Sequence, residues 1–178
     1  MASLGQRMVG AMQGNAATFE EIEHDQSAMG QAVTVIVIAG VAALIGNIFR
    51  AGITAGITAL VVSLIGYAIW AVLVTLIGTK LMPEPTTKAD FAETFRTVAF
   101  AASPGVFNVL AIIPIVGVLI GFFISLWQLV IMVIAVKVAL DYSNYGRAII
   151  VVLIGFIAYW IIAFMVMVPL LGARMMMG

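Results

Sequence analysis

Four long stretches without a charged side chain divide the sequence, and their lengths match membrane crossings. They cover residues 26–49, 51–79, 97–136 and 148–173. A helical crossing needs about 20 residues at 1.5 Å each. The first, second and fourth stretches can therefore each span a bilayer once, and the pattern predicts an all-α integral membrane protein.

The third stretch is too long for a single crossing. Its 40 residues would form a straight helix about 60 Å long, twice the hydrocarbon thickness of roughly 30 Å. Pro114 and Gly117 offer the best turn, because proline cannot donate to the helix ladder and glycine accepts backbone angles that bulkier residues resist. Turning there predicts two crossings, Thr97–Ile113 and Gly117–Val136, and five transmembrane helices in all. A re-entrant segment is the alternative.

Positive charges are unequally distributed between the two sides that five crossings define. The N-terminal side carries six lysines and arginines and the opposite side two, whereas a re-entrant segment would give five against three. Cytoplasmic loops carry the excess of Lys and Arg, so the five-helix topology is favoured, with the N-terminus in the cytoplasm and the C-terminus outside. The six residues are Arg7, Lys80, Lys88, Arg96, Lys137 and Arg147, and the two are Arg50 and Arg174.

The polar ends of the chain delimit a single membrane domain. Residues 29–171 are predicted to form the five-helix domain, and residues 1–28 a cytoplasmic tail with an interfacial amphipathic helix. Residues 172–178 are predicted to be a short C-terminal tail.

Two short interfacial helices are predicted on the N-terminal side. The stretch TFEE at 18–21 is a capping box, which predicts a helix that begins at Phe19. Thr87 is predicted to cap a second amphipathic segment, which runs to Arg96 along the membrane surface.

The composition agrees with this class and argues against several functions. Hydrophobic residues make up 64% of the chain and charged residues 9%, with a mean hydropathy of +1.22, more apolar surface than one soluble core could hide. The formal net charge is zero, which argues against nucleic acid as a partner. One histidine and no cysteine make no metal site, and no cofactor is predicted. All eight carboxylates lie outside the apolar spans, which argues against a proton-coupled pump.

Ser103, Pro104 and Gly105 lie inside the third predicted crossing and are expected to kink it. Pro104 leaves the carbonyl of Phe100 without its helical donor, and in lipid that carbonyl must find another partner. The hydroxyl of Ser103 is the local candidate. Because the neighbouring residues are small, another helix can approach closely. The segment is therefore predicted to be a buried, kinked helix in the middle of the bundle.

Small residues at four-residue spacing are candidates for helix packing. Gly52 and Gly56 open the second crossing, and Ala42 and Gly46 end the first. Such ridges let helices pack at short range. Packing inside the bundle is favoured over a dimer interface, because the pattern is common in membrane helices.

Four polar residues in or near the spans are candidates for specific contacts. Asn108 and Gln128 lie deep in the third and fourth crossings, either in a polar path or, as we favour, in hydrogen bonds between helices. Lys137 and Asp141 are one helical turn apart and form a candidate ion pair, although Lys137 can instead extend its ammonium to the headgroups. No carboxylate pair, Ser/His arrangement or metal cluster lies in or near the spans, so no catalytic residue is predicted.

Four stretches carry a family resemblance. They are FEEIEHDQSAMGQAV at 19–33, FRTVAFAASPGV at 95–106, IPIVG at 113–117 and WQLVIMVIAVKVALDYSNYGRAI at 127–149. Together they resemble a bacterial branch of the Yip family, the Ypt/Rab-interacting membrane proteins, over about residues 19–170. The resemblance implies five crossings with a cytoplasmic N-terminus.

The sequence departs from this family in two places. Ala99 replaces the glycine of the family's Pro-containing helix motif, here AFAASP. The Asp-Leu-Tyr-Gly-Pro stretch of eukaryotic members has no counterpart, so the resemblance gives little support for binding a Rab-type GTPase.

The leading functional hypothesis is a non-enzymatic scaffold or adaptor in the inner membrane of a bacterium. It would contact the lipid bilayer and either other membrane proteins or copies of itself. One alternative is an accessory subunit of a larger respiratory or photosynthetic complex. Another is a passive lipid or solute carrier that uses Asn108, Gln128 and the kink at Pro104. An intramembrane enzyme is the least favoured class.

Overall fold

The computed structural model describes residues 2–113 and 116–176, without the side chains of 50, 51 and 166–176. Its regular elements are all helical. The α-helices are α1 (Leu4–Met12), α2 (Ala16–His24), α3 (Ala28–Leu76), α4 (Phe91–Phe100), α5 (Val116–Ala139) and α6 (Tyr145–Met176); Ile77–Leu81 is π-helical and Ser103–Ile112 is a 3₁₀ helix.

Five segments are long and apolar enough to cross a membrane, which confirms the predicted fold class. They are Ala28–Phe49, Gly52–Leu81, Phe91–Ile112, Val116–Ala139 and Tyr145–Met165. Large apolar side chains of α3, α5 and α6 are exposed along these spans. In a bilayer such faces contact lipid without cost.

Helix α3 contains the first two crossings, separated by a sharp break at Gly52. The φ of Gly52 is +75°, a left-handed conformation that glycine adopts without a steric penalty. A Cβ atom added to Gly52 would have no neighbour within 4 Å, so Gly52 makes the turn and does not form a packing ridge with Gly56. Gly56 does pack, because a Cβ there would lie 2.7 Å from Cγ of Leu44 in the first crossing.

The third crossing begins earlier than the sequence indicated. Asp90 caps α4, since its carboxylate accepts the N–H of Glu93 at 2.8 Å and the Glu93 carboxylate accepts that of Asp90 at 3.1 Å. This reciprocal box defines the helix start, so the prediction that Thr87 is the cap was wrong. Phe91 is 44% exposed, but every residue from Thr94 to Phe100 is buried. The end of the predicted surface segment, Thr94 to Arg96, therefore packs inside the bundle and does not lie on the membrane surface.

The 3₁₀ helix Ser103–Ile112 makes the third crossing longer than an α-helix of the same number of residues would. Ten residues at about 2.0 Å each extend about 20 Å, against about 15 Å for an α-helix. Gly105 packs on Ala39, and Ala111 lies near Gly46 at the far end of the first crossing. The segment therefore runs along the far half of the first crossing, from Ala39 to Gly46, which favours a crossing over a re-entrant loop.

Helix α5 begins at Val116, shortly after the end of the 3₁₀ helix. Gly117, in the first turn of α5, donates its N–H to the carbonyl of Ile113 at 2.8 Å and packs against the backbone of Ala111. Pro114, where the turn was predicted, lies outside the described residues. Helix α6 continues to Met176, so most of the predicted C-terminal tail is helical.

Helices α1 and α2 form a hairpin that packs along the bundle instead of lying across its end. Asn15 caps α2, accepting the N–H of Ala17 at 3.0 Å, so the helix begins at Ala16 and the predicted start at Phe19 was wrong. The indole N–H of Trp127 donates to the carbonyl of Met12 at 2.9 Å. Trp127 lies twelve residues before the end of α5 at Ala139, about 18 Å along the helix.

Candidate functional site

The two predicted intramembrane amides both lie next to Gly105. The amide nitrogens of Gln128 and Asn108 would lie 3.0 and 3.5 Å from a Cβ atom added to Gly105. Nε2 of Gln128 donates to the carbonyl of Ala102 at 3.3 Å. This bond joins α5 to the turn between α4 and the 3₁₀ helix, as expected of a contact between helices. For Asn108, the corresponding contact stays a prediction.

The kink region follows the predicted chemistry. Oγ of Ser103 donates to the carbonyl of Phe100 at 2.7 Å, which confirms the predicted partner for that carbonyl. The α-helix ends at Phe100 and the chain continues from Ser103 as a 3₁₀ helix. Pro104 therefore marks a change of helix type, because its ring prevents the α-helical ladder from continuing.

The candidate ion pair of Lys137 with Asp141 is not among the salt bridges of the described residues. Nζ of Lys137 lies 5.4 Å from the ring centroid of Tyr145, a cation–π distance. Asp141 has a left-handed backbone, with φ of 51°, and its carbonyl accepts the hydroxyl of Thr86 at 2.9 Å. The positive φ ends the α5 helix before Asp141, so the helical spacing that motivated the pair does not apply.

A buried arginine holds the N-terminal hairpin together. Arg7 is 1% exposed, and its guanidinium donates to Glu21 at 3.0 Å, Asp25 at 2.5 Å and Gln31 of α3 at 2.9 Å. The hydroxyl of Ser27 and this guanidinium lower the pKa of Asp25 to about 2. Arg7 thus joins α1 to a carboxylate of α2, to the carboxylate that follows α2 and to an amide at the start of α3.

A second arginine joins α2 to the third crossing. The guanidinium of Arg96 in α4 donates to the carbonyl of Ile22 at 3.2 Å and also to the carbonyl of Glu23. These carbonyls belong to the last turn of α2, where helical partners are missing and positive charge is favourable. In the sequence, Arg96 indicates a cytoplasmic side and the end of the predicted surface segment but not this role; a single charge beside a long apolar run was the available signal.

The loop after the second crossing is tied to the turn between α5 and α6. Glu84 pairs with Arg147 at 3.1 Å and accepts the N–H of Ser143 at 3.0 Å. The hydroxyl of Tyr142 donates to the carbonyl of Met82 at 2.8 Å. These contacts hold the loop against the turn between the last two crossings.

An open depression of about 560 Å³ lies between α2, this loop, α4 and the end of α5. Its lining includes Glu23, His24, Thr86, Lys88, Glu93 and Asp141. We call it the acidic depression, since three of these side chains are carboxylates. It lies where three of the five spans begin or end, beside Leu81, Phe91 and Ala139. This position corresponds to the headgroup region of a bilayer.

Glu23 is the most unusual residue of the acidic depression. It is 5% exposed, and the described residues give its carboxylate neither a hydrogen bond nor an ion pair, because Arg96 binds only the backbone carbonyl. Burial, followed by the charge of Asp141, raises the pKa of Glu23 from 4.5 to about 7; Glu93 and Glu20 act in the same direction and His24 opposes them. Lys88 lines the same depression without pairing with Glu23.

The raised pKa of Glu23 predicts a specific pH dependence of stability. Because the folded protein binds this proton more tightly than the unfolded chain, the free energy of unfolding should fall as the pH rises from about 4.5 to about 7. Because the carboxylate faces the open depression, where solvent screens its charge, Glu23→Gln should abolish about 1–2 kcal/mol of that fall. In detergent, the thermal unfolding midpoint of Glu23→Gln should be several degrees higher than that of wild type at pH 8 and equal to it at pH 4.5.

Exposed Glu20 on the same helix supplies the matched control. Glu20→Gln should keep nearly all of the wild-type pH dependence of the unfolding midpoint, because Glu20 is the weakest of the charges that raise the pKa of Glu23. Equal profiles for wild type and Glu23→Gln would contradict the assignment of the titration to Glu23.

The five spans, the packed N-terminal hairpin and the anchored loop define an all-helical, multi-pass membrane protein. A family model, the Yip1 domain, matches residues 10–165. The chain therefore belongs to the Yip1 family, whose members are generally non-enzymatic membrane proteins, which confirms the resemblance to the Yip family as such. Searches of curated proteins and of solved structures found no match.

Proposed function

We propose that this protein is a non-enzymatic adaptor of the membrane, acting through contacts between its exposed surfaces and other membrane proteins. Membership of the Yip1 family supports the class. The observation that carries the proposal is the packing around Gly105, where Ala39 and Gln128 leave no room for a Cβ atom. Polar side chains inside the spans thus contribute to helix packing, and the surfaces available for partners lie outside the bundle.

Photo-crosslinking in native membranes tests this proposal. A photoreactive residue at Ile157, which is 61% exposed, should give adducts with one or a few specific proteins or with a second copy of the chain. The same residue at Val151, which is buried on the same helix, should give only intramolecular products. Lipid adducts alone at Ile157, and also at Ile57 and Val118 on the other exposed faces, would contradict the proposal.

The carrier alternative has its own test. If the protein is an adaptor, flux of lipids or small solutes across liposomes should not change when Gln128→Leu or Asn108→Ala is introduced. A severalfold loss of flux in both variants, with the fold retained by circular dichroism, would favour the carrier.

We also propose the cytoplasmic N-terminus that the charge distribution supports. The chain has no cysteine, so a single Lys88→Cys substitution reports orientation directly. A thiol reagent that cannot cross the membrane should label it only after the cytoplasmic side is opened. Labelling of intact cells would reverse the proposed topology.

A further inference from the structure

A buried carboxylate without a partner is unfavourable unless it binds a proton or a cation. Glu23 is 5% exposed and lines the acidic depression together with Glu93 and Asp141. The described carboxylate oxygens of Glu23 are not among the fully buried atoms without a partner, so the charge faces the depression. An ionised carboxylate that is largely withdrawn from water without a counter-charge is unfavourable. Lys88 and His24 lie in the same lining, yet neither makes an ion pair with Glu23 in the described part of the chain. A positive group entering the depression would supply the missing partner.

The chemistry of the lining restricts the kind of cation. The described His, Asp and Glu side chains form no group of three or more that could hold a metal ion. Quaternary ammonium groups are recognised by aromatic cages, whereas this lining consists of Pro85, Thr86 and charged side chains. A primary ammonium has three N–H donors that separate carboxylates can accept. It is also compact enough to enter an open depression of about 560 Å³.

From this geometry we propose that the acidic depression binds a primary ammonium group, with the Glu23 carboxylate as its main acceptor and Glu93 and Asp141 as further acceptors. The depression lies beside the ends of three spans, within reach of bilayer headgroups. The ammonium can therefore come from the ethanolamine headgroup of a lipid or from a dissolved amine. This inference is independent of the proposed adaptor role.

The test uses the full-length chain in nanodiscs at pH 7.5. In one arm, a fifth of the phosphatidylcholine is replaced by phosphatidylethanolamine; in the other, ethanolamine is added to discs of pure phosphatidylcholine. Retained lipid is measured by native mass spectrometry and amine binding by the shift of the unfolding midpoint. Glu23→Gln should weaken retention of the ammonium ligand at least tenfold, whereas Glu20→Gln should behave as wild type.

Each outcome supports or overturns the inference. The inference is supported if the ethanolamine lipid alone, or dissolved ethanolamine alone, binds in a way that depends on Glu23. The arm that shows binding then identifies the source of the ammonium group. Equal binding of choline, equal retention by Glu23→Gln and wild type, or no binding in either arm overturns it. Because Glu23→Gln should be at least as stable as wild type above pH 7, loss of fold does not explain a loss of binding.

Discussion

Replacing Gly46 by leucine should lower the free energy of unfolding by about 3 kcal/mol or more. A Cβ atom at this position would overlap the backbone carbonyl of Asn108 and lie 3.1 Å from Cβ of Ala111. A backbone carbonyl inside the 3₁₀ helix cannot rotate away as a side chain can, so the first and third crossings must separate. Thermal unfolding in detergent, followed by circular dichroism, should show a midpoint lower by roughly 10 °C.

Gly30 provides the matched control on the same helix. A Cβ atom there has no neighbour within 4 Å, so Gly30→Ala should be neutral or slightly stabilising, because alanine has the higher helix propensity. The unfolding midpoint of Gly46→Ala should lie between those of Gly46→Leu and Gly30→Ala. A Gly46→Leu protein that unfolds at the wild-type temperature would show that the first and third crossings do not pack as described.

Replacing Arg7 by methionine should release the N-terminal hairpin from the bundle. Arg7 is 1% exposed and joins α1 to Glu21, Asp25 and Gln31. Removing one partner of a fully buried ion pair costs about 3–5 kcal/mol; since the side chain of Glu21 is 44% exposed, we expect about 2 kcal/mol here. Amide hydrogens of α1 should then exchange about 30-fold faster.

Two further variants separate charge from packing. Arg7→Lys keeps the charge but loses the planar guanidinium that reaches several acceptors. The amide hydrogens of α1 in this variant should exchange at a rate between those of wild type and Arg7→Met. Val9→Met changes a side chain that is 53% exposed on the same helix and should leave exchange unchanged. Equal protection of α1 in wild type and Arg7→Met would show that the ion pairs do not hold the hairpin.

The membrane class and the number of crossings could be predicted from the sequence because they follow from composition and length. Uncharged stretches of sufficient length must pass through lipid as helices, whatever their neighbours are. The partner of the Phe100 carbonyl was also predictable, since Ser103 is three residues away. Such local relations depend on the backbone alone.

Helix boundaries were less predictable, since neighbouring caps compete. TFEE at 18–21 was a plausible capping box, yet Asn15 caps α2 one turn earlier. Thr87 was a plausible cap for the third crossing, yet Asp90 forms the reciprocal box with Glu93. Each cap bonds a residue only two or three positions ahead, so the sequence offers several local caps close together and does not by itself rank them.

The acidic depression could not have been predicted from one sequence. Glu23, Glu93 and Asp141 are far apart along the chain and share a lining only in the folded bundle. Nothing about the hydrophilic stretch around Glu23 indicated that its side chain is buried while its neighbour Glu20 is exposed.

By itself, the sequence determined that this protein is a helical membrane protein with five spans, since the requirement to satisfy every backbone polar group in lipid acts on each apolar stretch separately. Only the tertiary structure decided that the N-terminal hairpin packs along α5, that Arg96 binds the end of α2, and that Glu23 is buried without a partner. These features depend on which surfaces meet, because burial and electrostatic environment are properties of neighbours that are distant in the chain.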